Sequence, residues 1–421
     1  MKPLHLVFLI SIFINPQIRA QSVSPIEKEV IHLINQKDFF KAKELTENSN
    51  LNIAPIYQEY FNAILDNAFN RPQSSNNRIE QLLKKNFNLP DSLALKLLKV
   101  KMDNSIKCDA YREAKETIHT LLNRYGKLLS SEDENDLRNS LKIWSALENQ
   151  PRQEVTIPET NQIKMEIDKA GLKNLRIGAG GDSIHFIFDT GANLSTVTKS
   201  TAQKFKMKIL AGDIEVGSIT GKKTKAHIAI CPQFTFGTIK VTNAIFLVLD
   251  DDALNFPQLG YQINGILGFP VINALHEIEI TEEGFFIVPK EETVNRFPSN
   301  MALDELTPII HIDGKNYSFD TGADQSMLYP NYYEENRDTI NKLYKPVKIR
   351  MGGAGGIKEL DGFIISKTFQ IQGKQVSLAH LQLIKEDTVN HQGIYGNIGQ
   401  DFIKKFSKMT LNFHQMFILF N

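Results

Sequence analysis

The chain has 421 residues, of which 48 are basic and 48 acidic, and 42% of its residues are hydrophobic. This length exceeds what one hydrophobic core usually organises, so we expect two or three domains. The hydrophobic fraction excludes a largely disordered chain, and the formal net charge of +0 argues against nucleic acid or an anionic membrane surface as the main partner. Two cysteines are too few for a disulfide framework or a four-thiolate metal site.

Residues 1–20 have the pattern of a secretory signal peptide. A lysine precedes a largely apolar run from Leu4 to Ile14, which is too short to cross a bilayer but suits a signal-peptide core. Ala20 is a suitable last residue before cleavage. We therefore predict a mature protein that begins at Gln21, is periplasmic or secreted, and has no stable membrane span. An uncleaved N-terminal anchor is the alternative.

Residues 24–149 show the apolar spacing of helices, and Gly126 is the only glycine among them. The pattern predicts six or seven short helices in antiparallel hairpins, loosely similar to a tetratricopeptide array, although no fixed repeat length is visible. Ser131 and Glu134 predict a capping box at the start of the last helix. This helical domain is a candidate surface for a protein partner, and an irregular helical domain without a binding role is the alternative.

The composition changes after residue 149. Residues 150–159 are polar, contain two prolines and are predicted to be a linker. Beyond them, short β-branched and aromatic runs alternate with glycine-rich turns, which is typical of all-β structure. The predicted fold is therefore multi-domain α + β, with a helical N-terminal domain followed by all-β structure.

The strand-rich half contains one pattern twice, at a constant offset of 131 residues. The run Phe188-Asp189-Thr190-Gly191-Ala192 corresponds to Phe319-Asp320-Thr321-Gly322-Ala323. Further matches at the same offset pair Ser195 with Ser326, Gly265 with Gly396, Gly268 with Gly399 and Phe286 with Phe417. We therefore predict two similar β lobes, at residues 155–292 and 300–421, related by an approximate twofold axis.

Asp189 and Asp320 are the candidate catalytic residues. Two carboxyl groups about 3 Å apart cannot both ionise readily, so they share one proton. The charged carboxylate can then take a proton from a water molecule that attacks a peptide carbonyl, while the protonated carboxyl group donates to the carbonyl oxygen. This chemistry needs neither a metal nor another cofactor, and the residues alone leave open which aspartate is protonated.

The paired motifs resemble the pepsin–retropepsin clan of aspartic peptidases over residues 155–421. In that clan each lobe carries Asp-Thr-Gly, a mobile flap hairpin, and an apolar-apolar-Gly segment that braces the catalytic loop. Ile266-Leu267-Gly268 fits this brace, whereas Asn397 stands where the second brace would have an apolar residue. The resemblance is to secreted two-lobe bacterial proteins with helical N-terminal sections, and it implies an aspartic endopeptidase. Both lobes come from one chain, so dimerisation is not required for the active site.

The resemblance also implies supporting and substrate-binding residues. Conserved threonines and glycines of the motif would stiffen the dyad, and flap-tip glycines would let hairpins bend over a bound peptide. The residues expected to support the dyad are Thr190, Gly191, Thr321 and Gly322. The candidate substrate-binding residues are Asp324, Asn193, Gly217, Gly221, Gly352, Gly353, Gly355 and Gly356. For Asp324 and Asn193, hydrogen bonding within their own turn is the alternative.

Two further expectations concern the chemistry. Ala192 and Ala323 stand where pepsin-like enzymes have serine, and without that hydroxyl donor the dyad pKa values should be higher. Cleavage is therefore predicted to be fastest at weakly acidic to near-neutral pH. The ten histidines show no zinc spacing, so no metal site is predicted. A catalytically silent peptide-binding or scaffold protein on the same fold is the alternative function.

Overall fold

The computed structural model describes residues 23–84, 89–217, 223–257, 260–294, 298–353, 356–386 and 391–421. The predicted signal peptide and its cleavage site lie outside the described residues, as do Gly221 and Gly355. Within the described ranges, no helix is long and apolar enough to cross a membrane.

Helices occupy the N-terminal part of the chain, which confirms the predicted helical region. They are α1 (Pro25–Asn35), α2 (Phe39–Glu47), α3 (Pro55–Ala68), α4 (Pro72–Lys84), α5 (Asp91–Lys107), α6 (Tyr111–Tyr125) and α7 (Ser131–Leu147). Consecutive helices pack against each other along this series. The N-cap of α7 is Ser130, which accepts a hydrogen bond from the Asp133 amide at 3.0 Å. The cap predicted at Ser131 and Glu134 is therefore wrong by one residue.

Strands dominate the rest of the chain, which confirms an α + β fold. The first fifteen are β1 (Glu154–Thr156), β2 (Asn161–Lys164), β3 (Glu166–Ile167), β4 (Lys173–Ala179), β5 (Asp182–Phe188), β6 (Ser195–Thr198), β7 (Lys208–Ile209), β8 (Ile214–Gly217), β9 (Lys223–Phe236), β10 (Ile239–Leu249), β11 (Asn255–Phe256), β12 (Tyr261–Gln262), β13 (Gly265–Leu267), β14 (Glu277–Thr281) and β15 (Phe285–Val288). Strand β1 lies inside the predicted linker and pairs with β10, so this part of the linker is sheet.

Ten strands follow in the C-terminal part of the chain. They are β16 (Met301–Asp304), β17 (Thr307–Ile312), β18 (Lys315–Phe319), β19 (Met327–Leu328), β20 (Val347–Gly353), β21 (Gly356–Ile371), β22 (Lys374–Ile384), β23 (Gly396–Ile398), β24 (Lys408–Asn412) and β25 (Phe417–Phe420). Four helices interrupt the strands, namely α8 (Lys199–Lys204), α9 (Phe269–Asn273), α10 (Pro330–Leu343) and α11 (Gln400–Ile403).

Three main sheets organise these strands. A ten-stranded sheet contains β1, β3–β10 and β13, and an eight-stranded sheet contains β16–β23. A five-stranded sheet in the order β2-β15-β14-β24-β25 combines strands from both halves of the chain. Its central pairing joins β14 to β24 with Glu277 opposite Asn412, so the two halves share this sheet.

The strands that precede the two Asp-Thr-Gly motifs have the same partners in the two larger sheets. β5 pairs in parallel with β13, with Ile187 opposite Ile266, and β18 pairs in parallel with β23, with Ser318 opposite Asn397. β13 and β23 are in turn antiparallel to β6 and β19, respectively. Each aspartate therefore follows a central strand that has the same neighbours and register.

The helical domain packs against both larger sheets. Helices α5–α7 share a hydrophobic core with β8–β10, built from buried side chains that include Ile118, Trp144, Ile214, Ile228 and Leu247. On the other side, Lys37 forms an ion pair with Asp304, and the Phe40 ring centroid lies 5.5 Å from that of His311. The helical domain thus contacts both halves of the β structure directly.

Candidate active site

The two motifs meet through their threonines. Thr190 Oγ1 donates to the Phe319 carbonyl oxygen at 2.8 Å and accepts from the Thr321 amide at 3.0 Å. Thr321 Oγ1 donates to the Phe188 carbonyl oxygen at 2.8 Å and accepts from the Thr190 amide at 3.1 Å. Both threonines are buried, so these four hydrogen bonds fix the two strand ends against each other without competition from water.

The motif glycines allow the opposing carboxyl groups to approach. A Cβ atom on Gly322 would lie 2.3 Å from Asp189 Cγ, and one on Gly191 would lie 2.7 Å from Asp320 Cγ. Any larger residue would therefore displace the aspartate of the other motif. The same glycines also orient the carboxylates, because the Gly191 amide donates to Asp189 Oδ1 and the Gly322 amide to Asp320 Oδ1, each at 2.8 Å.

The Asp189 and Asp320 carboxyl groups lie within hydrogen-bonding reach of each other, and both have perturbed pKa values. Burial and the negative charge of Asp320 raise the pKa of Asp189 well above its usual range. Burial also raises the pKa of Asp320, but hydrogen bonds from Asp189, the Gly322 amide and Asn397 oppose that rise. The surroundings therefore favour a single proton held by the pair.

Asn397 makes this dyad asymmetric. Its Nδ2 donates to Asp320 Oδ2 at 3.2 Å, and its Oδ1 accepts from Ser318 Oγ at 2.8 Å, which sets the orientation of the amide. The corresponding position in the first motif is Ile266, which has no donor to offer Asp189. Sequence reasoning identified Asn397 only as a departure from an apolar brace. The informative feature was the amide side chain of Asn397 on β23, the strand that pairs with the strand leading to Asp320.

The later glycine segments brace both aspartate loops. The Asp189 amide donates to the Leu267 carbonyl oxygen at 3.1 Å, and the Asp320 amide donates to that of Ile398 at 3.0 Å. The amides that follow these residues, at Gly268 and Gly399, donate to the hydroxyls of Ser195 and Ser326 at 3.0 and 2.9 Å. Both serines are buried and engaged in this support.

The candidate substrate-binding side chains lie near the dyad but have different surroundings. Asn193 is exposed, and its Oδ1 accepts from Thr307 Oγ1 at 3.3 Å, so it bridges the two halves of the β structure. Asp324 is exposed too, and its carboxylate interacts with the backbone amides of its own turn, at Asp324 and Gln325. Asp324 thus has the contacts of a turn residue, and Asn193 has a contact at the junction of the two halves.

The candidate flap glycines lie at the ends of two hairpins. Gly217 ends β8 of the first hairpin, which β8 and β9 form. In the second hairpin, Gly352 and Gly353 end β20, and Gly353 pairs with Gly356 at the start of β21. Gly221 and Gly355 lie outside the described residues.

One side chain of helix α7 hydrogen-bonds to the backbone of the first hairpin. Asn139 Nδ2 donates to the Glu215 carbonyl oxygen, and Asn139 Oδ1 accepts from the Glu215 amide at 2.9 Å. The amide side chain therefore satisfies both polar backbone groups of a residue on β8, as a neighbouring strand would. Over the ranges that the structure describes, no residue of α1–α7 hydrogen-bonds to β20 or β21. Among the described residues, the first hairpin thus has a hydrogen bond from the helical domain that the second hairpin lacks.

Comparison with known protein families finds a match to part of the chain. Residues 174–271 match a family model described as aspartyl protease. No curated protein matches the chain. The matched segment contains Asp189 and the first brace, and it ends before Asp320. The similarity covers less than half of the chain, and it supports a pepsin- and retropepsin-like aspartic protease family and a protease-like function.

Proposed function

We propose that the protein is an aspartic endopeptidase in which Asp189 and Asp320 form a single catalytic dyad. The contact between the two carboxyl groups, fixed by the hydrogen bonds between Thr190 and Thr321, carries this proposal. Like-charged carboxyl groups in contact retain one proton between them, which provides an acid and a base at the same pH.

In the proposed mechanism, Asp320 is the base and Asp189 is the acid. Asn397 Nδ2 donates to Asp320 Oδ2 and stabilises its charged form, whereas Ile266 at the corresponding position has no donor for Asp189. Asp320 accepts a proton from water as the water oxygen attacks the scissile carbonyl carbon. Asp189 donates its proton to the carbonyl oxygen, and proton transfer to the amine then breaks the carbon–nitrogen bond. All groups that move protons in these steps belong to the chain or the attacking water.

The two hairpins have different roles in this proposal. The substrate lies extended over the dyad and pairs with hairpin backbone as an added strand. Asn139 and the core around α5–α7 hold the first hairpin as a fixed wall. The hairpin formed by β20 and β21 is the moving flap that closes over the substrate.

The remaining architecture is proposed on the same basis. The repeated strand pairing supports two lobes related by an approximate twofold axis, so one chain supplies the whole site. We propose that the antiparallel helices form a tetratricopeptide-like array that supports both lobes and offers a surface to a protein partner. The N-terminal pattern of residues 1–20 supports a periplasmic or secreted location, which N-terminal sequencing of the mature protein tests.

A cleavage assay with matched variants tests the proposed activity. The purified chain is offered unfolded casein and a peptide library, with and without pepstatin. Cleavage should be lost in Asp189→Asn and in Asp320→Asn, while Asp338→Asn should retain it because Asp338 is an exposed residue of α10, outside both motifs. Cleavage that survives both dyad substitutions would contradict the mechanism. A folded chain that binds peptides but cuts none would favour the silent peptide-binding alternative.

A further inference from the structure

A cluster of two histidines and a glutamate lies where the two halves of the β structure share a sheet. His276 directly precedes β14, His414 follows β24, and Glu292 follows β15. Their ligand atoms all lie within 4.8 Å of one another. The histidines are 16 and 122 residues from Glu292 in sequence, so no local spacing reveals the cluster.

The contact distances match the coordination sphere of a small divalent cation. His276 Nδ1 lies 3.2 Å from Glu292 Oε1, and His414 Nδ1 lies 3.1 Å from the same oxygen. A tetrahedral zinc ion with bonds of about 2.0–2.1 Å holds neighbouring ligand atoms about 3.3 Å apart. Two imidazoles with one carboxylate favour ions of the zinc class over calcium or magnesium, which prefer oxygen ligands.

Hydrogen bonds from neighbouring residues orient Glu292 and the backbone of His276. Asn412 Nδ2 donates to Glu292 Oε2 at 3.0 Å, and the Phe413 amide donates to the His276 carbonyl oxygen at 2.8 Å. The bond from Asn412 therefore fixes the carboxylate in place, as outer hydrogen bonds fix ligands in metal sites.

The two imidazoles are open to solvent. Side-chain exposure is 58% for His276 and 69% for His414, compared with 24% for Glu292. His276 also has a φ of 61°, in the left-handed region that is uncommon for residues other than glycine. The backbone thus adopts an unfavourable conformation at a residue whose ring faces Glu292 and is accessible to an ion.

We propose that His276, Glu292 and His414 bind one divalent cation of the zinc class, which clamps the two halves of the β structure together at the five-stranded sheet. Each imidazole coordinates through Nδ1 and keeps its proton on Nε2, and water completes the coordination. The ion links His276, just before β14, to His414, just beyond β24, and links both to Glu292 in the segment after β15. The site is structural, and its binding can be measured without any assay of proteolysis.

Zinc titration of the full chain after chelator treatment tests the proposal. Calorimetry should find one Zn²⁺ per chain, and zinc should raise the thermal midpoint, whereas Mg²⁺ should do neither. His276→Ala, His414→Ala and Glu292→Gln should each weaken zinc binding by more than the 10–100-fold typical of losing only an outer hydrogen bond. Co²⁺ should give the visible absorption of a four-coordinate ion in the wild type and not in these three variants.

His227→Ala is the matched control. His227 Nδ1 lies 3.2 Å from Asp213 Oδ1, and the His227 side chain is 43% exposed. This is a histidine–carboxylate contact like those of the cluster, but it involves a single histidine. This variant should bind zinc as the wild type does. The metal-free thermal midpoint of each variant checks that it is folded, and Glu292→Gln preserves side-chain shape if a histidine variant does not fold. Absence of stoichiometric zinc binding, or equal binding by the cluster variants and the control, would overturn the proposal.

Discussion

Replacing Asn397 by leucine should move the acidic limb of the pH–rate profile towards neutral pH. Leucine has a similar size and restores the apolar residue that the second brace would otherwise carry. The change removes the 3.2 Å hydrogen bond from Nδ2 to Asp320 Oδ2. Ser318 Oγ keeps a partner because it also contacts the Gly396 carbonyl oxygen at 3.2 Å, so the substitution does not leave that hydroxyl unsatisfied.

The size of the effect follows from the length and charge of this bond. Hydrogen bonds to charged groups contribute about 1.5–3 kcal/mol. A distance of 3.2 Å lies at the long end of the N–H···O range, so the lower figure applies. About 1.5 kcal/mol corresponds to a roughly tenfold change in an equilibrium constant. The bond favours charged Asp320, so its loss should raise the affinity of the dyad for a second proton roughly tenfold.

The assay is kcat/KM for a peptide substrate measured across the acidic range. Because Asp320 must be ionised to act as base, the acidic limb of Asn397→Leu should lie about one pH unit above that of the wild type. Ile266→Ala is the matched control, since it changes the corresponding strand position beside Asp189 without removing a hydrogen bond. An unchanged acidic limb in Asn397→Leu, or an equal displacement in the control, would refute the proposed role of Asn397.

Three further predictions address the interface, the dyad and the first hairpin. Thr190→Val should lower the free energy of unfolding by about 2–4 kcal/mol, because the Phe319 carbonyl and the Thr321 amide lose their partner. Denaturant unfolding measures this change, and Thr190→Ser, which keeps the hydroxyl, should retain most of the wild-type stability. The raised pKa of Asp189 means that the folded chain binds more protons than the unfolded chain, so this group's contribution to stability falls as pH rises above about 4, by about 1.4 kcal/mol per unit of raised pKa. Asp189→Asn should lose that slope, and an identical pH dependence of unfolding would contradict the assignment. Asn139→Ala should speed amide hydrogen exchange in β8 and raise KM a few-fold, whereas Lys142→Ala, at an exposed position on the same helix, should change neither. Equal exchange rates in both variants would argue against the proposal that Asn139 holds the first hairpin.

Sequence alone was sufficient to predict that Asp189 and Asp320 meet. The motif glycines and threonines recur at one offset, and their physical roles are local: glycine admits an opposing carboxyl group, and threonine bonds to the neighbouring backbone. The matched residues Phe286 and Phe417 lie on strands β15 and β25. Local residue chemistry therefore carries much of the information about the dyad.

Other features depend on contacts between residues that are distant in sequence. The pattern around Asn397 could not reveal that its amide points at Asp320, because Ser318 on the adjacent strand sets that orientation. Strand β1 was assigned to a linker because its pairing partner β10 lies far along the chain. The packing of α5–α7 on β8–β10 was missed for the same reason, since an apolar helix face does not specify what covers it.

The most direct test of the account is the protonation of the two dyad carboxyl groups. Carbon-13 NMR of aspartate-labelled protein across pH, with Asp189→Asn and Asp320→Asn spectra for assignment, reports each carboxyl separately. The account predicts that Asp189 stays protonated at pH values where Asp320 and ordinary aspartates are ionised, with the pair holding one proton. Independent titration of both groups near the ordinary aspartate pKa of about 3.9 would contradict it.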